Sequence, residues 1–431
     1  MPLNVLIIGA GVGGPAFAAL LQGSDHRHNI TVVERAPSLR VAGQQIDLKA
    51  QGIPIMRKMS LLDTIKSHCI AEYGMRLVDW NGKRLMQFNV NDSNKGAIAR
   101  SVTSGYEIMR GDLVKVLYEA GLNQRASIIK DMGREGGLTY EFGKSITELA
   151  QIDDGVNVTF SDGQKRRYDI VVGADGQGSP TRRMAFGQSV NDESFKSLGT
   201  QAAFYSIPRI DGEGEIANVY IAPGRRGIMT RTGDRPVTQV FLFSMSSSEK
   251  LQKVMREPIE KQKEAWAEAF RGAGWQTPRF LSDLKTCSDF YACELAQVKL
   301  KQLYNGRVAL IGDAGYCPSV LTGMGTTAAL VGAYVLAGEL ARHGDDVSAA
   351  FKEYGRVMQA PILQYQRMPS GGSPGALWPS SRLAVWILNN TLWAISTFKI
   401  DQLVQRMLPK DKSTGEGGWS LPDYPELNLR P

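Results

Sequence analysis

Apolar and polar positions in the first 34 residues change from a strand-like to a helix-like pattern and back. Residues 4–8 form a short apolar run rich in β-branched side chains, which is typical of a buried β-strand. A glycine-rich run at 9–14 follows and leads into an apolar stretch with the composition of a helix. A second β-branched run, at 30–33, ends in Glu34. The pattern therefore predicts one βαβ unit with a tight turn after its first strand.

Beyond this unit the pattern changes several times. Residues 73–88 alternate around Asn81-Gly82, a dipeptide typical of hairpin turns, which predicts a β-hairpin. A helix is predicted to begin near Asp112, and Ser179 is a candidate helix N-cap. The other patterns predict helices at 51–65, 249–271, 326–341 and 383–398, and strands at 156–160, 170–172, 201–207, 217–221, 238–243 and 307–311. This order indicates an α/β chain that carries a second, β-rich part.

The glycine-rich turn has the spacing G-x-G-x-x-G of a dinucleotide-binding site. Gly9 permits the turn, Gly11 lets a pyrophosphate approach the backbone, and Gly14 lets the helix pack closely on the strand. Helix-start amides favour negative charge, and Glu34 can accept hydrogen bonds from ribose hydroxyls. A carboxylate there repels a 2′-phosphate, so the site is predicted to hold an NAD- or FAD-type adenosine. The alternative is a strand-to-helix turn that binds nothing.

Two further strand ends carry glycine and aspartate. The first is G-A-D-G-Q-G-S at 173–179, where Asp175 can anchor amides or a cofactor hydroxyl. The second is G-D-A at 312–314, where Asp313 could accept from a ribose or ribityl hydroxyl. Gly323 and Gly325 then leave the first amides of the next helix free to face a phosphate or an electron-poor ring.

Composition narrows the classes of function. The chain has 431 residues, 43% of them hydrophobic, and a net charge of +7 from scattered basic residues, which argues against nucleic-acid binding. Four cysteines without C-x-x-C spacing suit a reducing compartment and argue against structural zinc. No signal peptide is visible, and the apolar stretch at 383–398 is shorter than the ~20 residues that span a bilayer. Membrane contact through its tryptophans is the less favoured interpretation of that stretch.

The three motifs, in this order and spacing, resemble the class A FAD-dependent monooxygenases, which include aromatic hydroxylases and epoxidases. The resemblance covers about residues 1–350. It is nearest to the single-component enzymes that inactivate tetracycline or tailor secondary metabolites. Residues 107–113, E-I-M-R-G-D-L, are similar to the E-I-x-R-x-D-L helix start of that family. There the arginine lies beside the flavin, so the resemblance gives Arg110 that position.

The resemblance implies a Rossmann-like three-layer FAD-binding domain with an inserted β-sheet substrate domain and a C-terminal helix. We expect the FAD-binding domain to comprise residues 1–72, 105–182 and 287–360, and the substrate domain 73–104 and 183–286. A C-terminal helical region and tail would span 361–431. FAD binding, without a covalent link, is predicted for Gly9, Gly11, Gly14, Glu34, Arg35, Asp47, Arg110, Asp175, Asp313, Gly325 and Thr326.

The resemblance also implies an activity. NADPH reduces the flavin, O2 converts it to a C4a-hydroperoxide, and one oxygen atom passes to an electron-rich small-molecule substrate such as a secondary metabolite. The sequence identifies no catalytic base; Tyr205 and Tyr220 are pocket candidates for which packing within a sheet is the favoured interpretation. We expect a cytoplasmic monomer without a bound metal.

The chain also departs from the family pattern. Residues 315–319 replace the usual Ala-His and proline-containing turn, and Thr327 replaces a usual asparagine. Flavin binding is expected to survive these changes, because backbone amides hold the cofactor. A flavin halogenase is disfavoured because its W-x-W-x-I-P motif is absent. A reductase of the same fold, or a flavin-binding cyclase or scaffold protein without redox turnover, stays as an alternative.

Overall fold

The computed structural model describes residues 1–40, 43–89, 106–368, 375, 378–398 and 419–427. The strands are β1 (Asn4–Ile8), β2 (Asn29–Glu34), β3 (Gln45–Asp47), β4 (Gly74–Val78), β5 (Arg84–Asn89), β6 (Glu107–Met109), β7 (Gly137–Phe142), β8 (Ile146–Ile152), β9 (Gly155–Phe160), β10 (Lys165–Tyr168), β11 (Ile170–Gly173), β12 (Phe195–Pro208), β13 (Ile216–Ala222), β14 (Arg226–Arg231), β15 (Val237–Ser244), β16 (Tyr291–Val298), β17 (Tyr304–Asn305) and β18 (Val308–Leu310). The α-helices are α1 (Gly13–Ser24), α2 (Gly52–Lys58), α3 (Leu62–His68), α4 (Arg110–Met132), α5 (Pro180–Phe186), α6 (Gln188–Ser194), α7 (Glu249–Val254), α8 (Ile259–Phe270), α9 (Thr277–Leu284), α10 (Asp313–Tyr316), α11 (Gly325–His343), α12 (Val347–Tyr365) and α13 (Arg382–Thr397).

A six-stranded sheet of order β17-β18-β11-β1-β2-β7 forms the middle of three layers. It is parallel except at β17. Alternate residues of β1 point to opposite faces, so Val5 and Ile7 pack with α1, α4 and α11 in the largest core cluster. Leu6 and Ile8 pack instead against the three-stranded antiparallel sheet β8-β9-β10. Both faces of β1 are therefore buried, which explains why its sequence is apolar without alternation. The predicted three-layer α/β architecture is confirmed.

A second, seven-stranded sheet has the order β16-β12-β15-β14-β13-β4-β5. Helices α8 and α9 cover one of its faces, with Trp266 and Phe270 buried among strand side chains. The other face carries a smaller apolar cluster centred on Phe204 and Phe241. The predicted hairpin around Asn81-Gly82 is β4–β5, at the edge of this sheet; residues 90–104 of that predicted segment lie outside the described residues.

A two-stranded antiparallel ribbon, β3–β6, lies between the two sheets. Two of the predicted site residues are placed by this ribbon: Asp47 ends β3, and Arg110 follows β6 directly. The ribbon is joined to the larger sheet by the side chain of Gln239 on β15, which accepts a hydrogen bond from the Gln45 amide at 2.8 Å. The ribbon thus links the cleft residues to the second sheet.

Several predicted elements are divided or displaced. The predicted helix at 51–65 is two helices, α2 and α3, separated where Ser60 takes a φ of 58°. The helix predicted at 249–271 is also two, because Pro258 stands at the N-cap of α8. Strand β16 hydrogen-bonds to β12, so it extends the larger sheet, although the division at residue 287 assigned it to the FAD-binding domain. That division missed the strand because burial along it does not alternate: its first half is exposed or partly exposed and its second half is buried.

The predicted C-terminal helix is present as α13, and it packs on β5 and β13 of the larger sheet. Its apolar face is less covered than expected, since Leu383, Trp386 and Ile387 are all more than half exposed. In the part of the chain that the structure describes, no helix is both long and apolar enough to cross a membrane.

Candidate functional site

The turn between β1 and α1 is built by glycine. Gly9 has a φ of +108°, and a Cβ there would lie 2.5 Å from the Ala174 carbonyl oxygen. A Cβ on Gly14 would lie only 2.0 Å from the Gly9 carbonyl oxygen. At Gly11 the space is larger, because the nearest atom is an Arg110 nitrogen at 3.5 Å. No side chain caps the first turn of α1, so its amides are free of a side-chain partner.

Glu34, at the end of β2, holds this turn in place. One carboxylate oxygen accepts the Ala10 amide at 2.9 Å and the other accepts the Ala36 amide at 3.0 Å. Each oxygen has a further lone pair, so the side chain can still accept from a ligand hydroxyl. The bond to Ala10 was not foreseen from the sequence, which assigned Glu34 a ligand-binding role alone. The next residue, Arg35, is exposed.

Arg110 begins α4 beside the glycine turn. Its amide donates to the Gln44 carbonyl at 3.1 Å, and its side chain passes both Gly11 and Gly43. Burial lowers the pKa of the Arg110 guanidinium, and the negative charges of Asp313 and Glu34 oppose that shift. Three of the predicted site residues are thus close enough to interact electrostatically. Asp47 forms an ion pair with Lys49 at 3.0 Å.

Asp175 is held within its own turn. Its carboxylate accepts hydrogen bonds from the Ser179 hydroxyl and from both the amide (3.0 Å) and the hydroxyl (2.7 Å) of Thr181. The predicted N-cap is confirmed, since the Ser179 hydroxyl accepts the Arg182 amide at 2.9 Å. These bonds show Asp175 as an anchor of the α5 start.

Arg182 is a residue whose role the sequence did not indicate. It is 1% exposed, and its guanidinium donates to the Ala314 and Gln177 carbonyls, both at 2.8 Å, and to the Asn191 side chain at 3.0 Å. The bond to Ala314 ties the second motif to the third. The only signal in the sequence was an arginine three residues after the N-cap serine, which is also common on helix surfaces.

Asp313 and the start of α11 face each other. Gly312, with φ +60°, turns the chain after β18, and Asp313 then begins the short helix α10. A Cβ on Gly325 would lie 3.9 Å from Asp313 Oδ1. Burial raises the pKa of Asp313, against the effects of the Cys317 thiol and Arg110. No side chain caps α11, so the amides at Gly325 and Thr326 form an electropositive helix start beside this carboxyl group.

The larger sheet presents an apolar wall to this region. We use "wall" for Phe204, Phe241, Phe243, Met229, Leu295 and Leu321, which belong to one cluster. Tyr291 extends it by stacking on Phe204, with ring centroids 6.1 Å apart. The Cys293 thiol and burial raise the pKa of the Tyr291 hydroxyl, Arg110 opposes that shift, and Asp313 adds to it. The wall therefore adjoins the predicted site residues.

Tyr205 and Tyr220 lie on the opposite face of the same sheet. Their hydroxyls donate to the Phe280 and Ala273 carbonyls at 3.0 and 2.8 Å. Packing within the sheet, the favoured interpretation, is correct for both, and neither is a pocket residue. Among the described residues, no group of three or more His, Cys, Asp or Glu side chains could hold a metal ion.

Comparison with known proteins identifies this arrangement. Residues 2–355 match the family model described as FAD binding domain. The FAD-dependent monooxygenase asL6 of Sarocladium schorii is 42% identical over the full length of both chains, and Monooxygenase CTB7 of Cercospora beticola is 33% identical over 91% of this chain and 92% of its own. The crystal structure of tetracycline destructase Tet(51) superposes with a TM-score of 0.74 at 26% identity, covering 98% of this chain and 100% of that one. The chain therefore belongs to the FAD-binding family of class A flavin-dependent monooxygenases.

Proposed function

We propose that this enzyme uses NADPH and O2 to place one oxygen atom on an electron-rich carbon of an organic substrate, with a secondary metabolite as the substrate class. The observation that carries the proposal is the apolar wall beside Arg110 and Asp313. An aromatic and aliphatic surface suits a flat, weakly polar molecule, because such surfaces bind by area and ring geometry.

The residues at the cleft fit FAD. Gly14 and Gly9 have no room for a Cβ, Gly11 leaves its backbone open, and two helices begin there without side-chain caps. We assign the pyrophosphate to the amides of the first glycine turn and the adenosine ribose to Glu34. Asp313 and the first amides of α11, at Gly325 and Thr326, would hold the ribityl and ring end. Arg35, Asp47 and Asp175 are assigned to the border of the site.

Bound FAD supplies the redox centre that accepts hydride from NADPH and activates O2. The protein itself positions the substrate against the cofactor and excludes water from the site. The Arg110 guanidinium orients the ring end of the cleft, while the wall holds the substrate on the facing side. Glu34 disfavours a 2′-phosphate in the adenosine site, so NADPH has to dock elsewhere and leave again. The helix dipole of α11 stabilises negative charge that develops beside it.

The decisive experiment measures oxygen transfer directly. Purified enzyme loaded with FAD is supplied with NADPH, 18O2 and a panel of phenols, indoles and polyketides, and product masses are recorded. We expect at least one substrate to stimulate NADPH oxidation and to gain one labelled oxygen atom. NADPH consumption with unlabelled product would indicate a reductase, and product formation without NADPH would indicate a cyclase; either result refutes the proposal.

Two variants of the same sheet separate substrate binding from general damage. Phe243→Ala shortens the wall, whereas Tyr205→Phe alters the opposite face, where the hydroxyl bonds to Phe280. We expect KM for the substrate to rise about tenfold or more in the first variant, from loss of ~1.5–3 kcal/mol of apolar contact. The second should change KM less than twofold. Equal effects would show that the wall does not contact the substrate.

A further inference from the structure

Three charged side chains form a buried cluster between the ribbon and the larger sheet. Arg231, at the end of β14, donates through Nε to Glu72 Oε2 at 3.0 Å and through Nη2 to Glu72 Oε1 at 2.5 Å. The same Nη2 lies 2.9 Å from Glu107 Oε2. Gln45 completes the cluster by donating to Glu72 at 3.3 Å and to Glu107 at 3.2 Å. The three charged side chains are each exposed by 10% or less.

The charges in this cluster do not balance. Two carboxylates face one guanidinium, so the cluster carries a net negative charge when both are ionised, and burial makes that costly. Asp47 on β3 adds to the negative field at Glu107, although it also pairs with Lys49, and the Cys69 thiol at the end of α3 is close enough to be affected by Glu107. Among the described residues, Glu107 Oε1 has no hydrogen-bond partner.

These surroundings favour a proton on Glu107. Burial first, and the charges of Asp47 and Glu72 in addition, raise the pKa of Glu107 to about 7, against the opposing effect of Arg231. Glu72 makes two contacts with the Arg231 guanidinium, whereas Glu107 makes one. With a proton from solvent on Glu107, the cluster is neutral; without it, a negative charge is buried.

The cluster also controls the position of a cleft residue. Glu107 begins β6, and Arg110 follows three residues later at the start of α4. The wall strands β14 and β15 hold the ribbon through Arg231 and through Gln239, whose side-chain nitrogen lies 2.8 Å from the Met109 sulfur. A shift of Glu107 relative to Arg231 therefore moves Arg110 relative to the wall.

We propose that Glu107 is a positioning residue that, in its protonated form, keeps the cluster neutral and so docks the ribbon carrying Arg110 against the substrate sheet. It touches no reacting atom. Above neutral pH it releases its proton to solvent, the ribbon loosens, and the ring end of the FAD site changes its environment. The proposal rests on FAD occupying the cleft and is independent of the reductant and the substrate.

The test is a pH titration of the full-length FAD-loaded protein, without NADPH or substrate, read by the visible absorption and circular dichroism of bound flavin. Wild type should show a transition with a midpoint near pH 7. Glu107→Gln, which is neutral and of the same shape, should abolish it. Glu72→Gln leaves Glu107 as the sole carboxylate partner of Arg231, so the midpoint should fall by about one unit or more.

A matched control comes from another carboxylate paired with cations. Glu141 on β7 pairs with Arg166 and Lys144 on the far side of the six-stranded sheet, so Glu141→Gln should leave the midpoint unchanged. Wild type without a transition, or a transition that persists in Glu107→Gln, would overturn the proposal. If Glu107→Gln does not fold, the direction of the shift in Glu72→Gln decides: a midpoint that stays or rises also overturns it. Failure of the oxygen-transfer experiment would leave this result unaffected.

Discussion

Gly11 and Gly14 belong to one motif, yet the structure gives them different consequences when each is replaced by alanine. A Cβ on Gly14 would stand 2.0 Å from the Gly9 carbonyl oxygen, more than 1 Å inside the 3.4 Å at which ordinary contact begins. Helix α1, in which ten of twelve residues are buried, cannot move away without disturbing the core. Overpacking of this kind costs about 1–3 kcal/mol and occasionally more.

Gly11→Ala should behave in the opposite way. Its Cβ would meet only an Arg110 nitrogen at 3.5 Å, which is ordinary contact. On the proposed assignment, the methyl group would instead occupy the space through which the pyrophosphate of FAD approaches the backbone. Loss of one hydrogen bond to a charged phosphate is worth about 1.5–3 kcal/mol, or roughly 10- to 150-fold in the dissociation constant for FAD.

Two measurements on each variant separate the effects. The Tm of the FAD-free protein should fall by roughly 2–12 °C for Gly14→Ala and by less than about 2 °C for Gly11→Ala, since 1 kcal/mol corresponds to about 2–4 °C in a domain of 150–250 residues. Titration of FAD, followed by quenching of flavin fluorescence, should show the larger loss of affinity for Gly11→Ala. Wild-type affinity in Gly11→Ala would refute the assignment of the pyrophosphate to this turn.

Three further outcomes follow from the contacts described. Glu34→Ala removes the acceptor of two backbone amides, so we expect the FAD-free protein to lose about 1–3 kcal/mol in chemical denaturation as well as affinity for FAD; unchanged stability would contradict the capping role. Arg182→Met leaves two carbonyls and an amide oxygen without a donor, and should cost about 3 kcal/mol or more and weaken FAD binding, with Arg183→Met as the exposed neighbouring control. The pKa of Glu107 is raised from 4.5 to about 7 in the folded chain, so the stability that its proton contributes is complete below pH 4.5 and is lost as pH rises through about 7. Over this range the free energy of unfolding of wild type should fall by up to about 3 kcal/mol more than that of Glu107→Gln. Parallel curves of stability against pH for the two proteins would contradict this.

The first βαβ unit could be predicted from sequence because its signals are local. The positive φ of Gly9, the close approach of Gly14 to the Gly9 carbonyl, and the apolar runs of β1 and β2 all lie within 34 residues. The three motifs followed from the same kind of pattern at the strand ends, whereas the three-layer architecture was predicted only from their resemblance to the class A flavin monooxygenases. For these features, the spacing of a few residues decides the local structure.

Other features depend on contacts between distant residues. The acceptors of Arg182 include Ala314, 132 residues away, and Glu72 and Arg231 meet across 159 residues. No periodicity in the sequence reports such pairs. Strand β16 was missed for a related reason, because its register is set by β12 and its own alternation is weak.

The strand order of the six-stranded sheet means that its strands are synthesised at widely separated times. Strand β1 pairs with β11, and β11 pairs in turn with β18, so residues 4–8 gain these sheet contacts only after residues 170–173 and 308–310 have been synthesised. Helix α11 is then covered by the last described segment, where Tyr424 lies against Gly338 and bonds through its hydroxyl to Glu339. Contacts of such sequence separation form slowly. The glycine turn is synthesised first and the segments that surround it last, so we expect FAD binding to require the chain through these late segments. C-terminal truncation before residue 419 should yield a protein that folds poorly and is isolated without flavin.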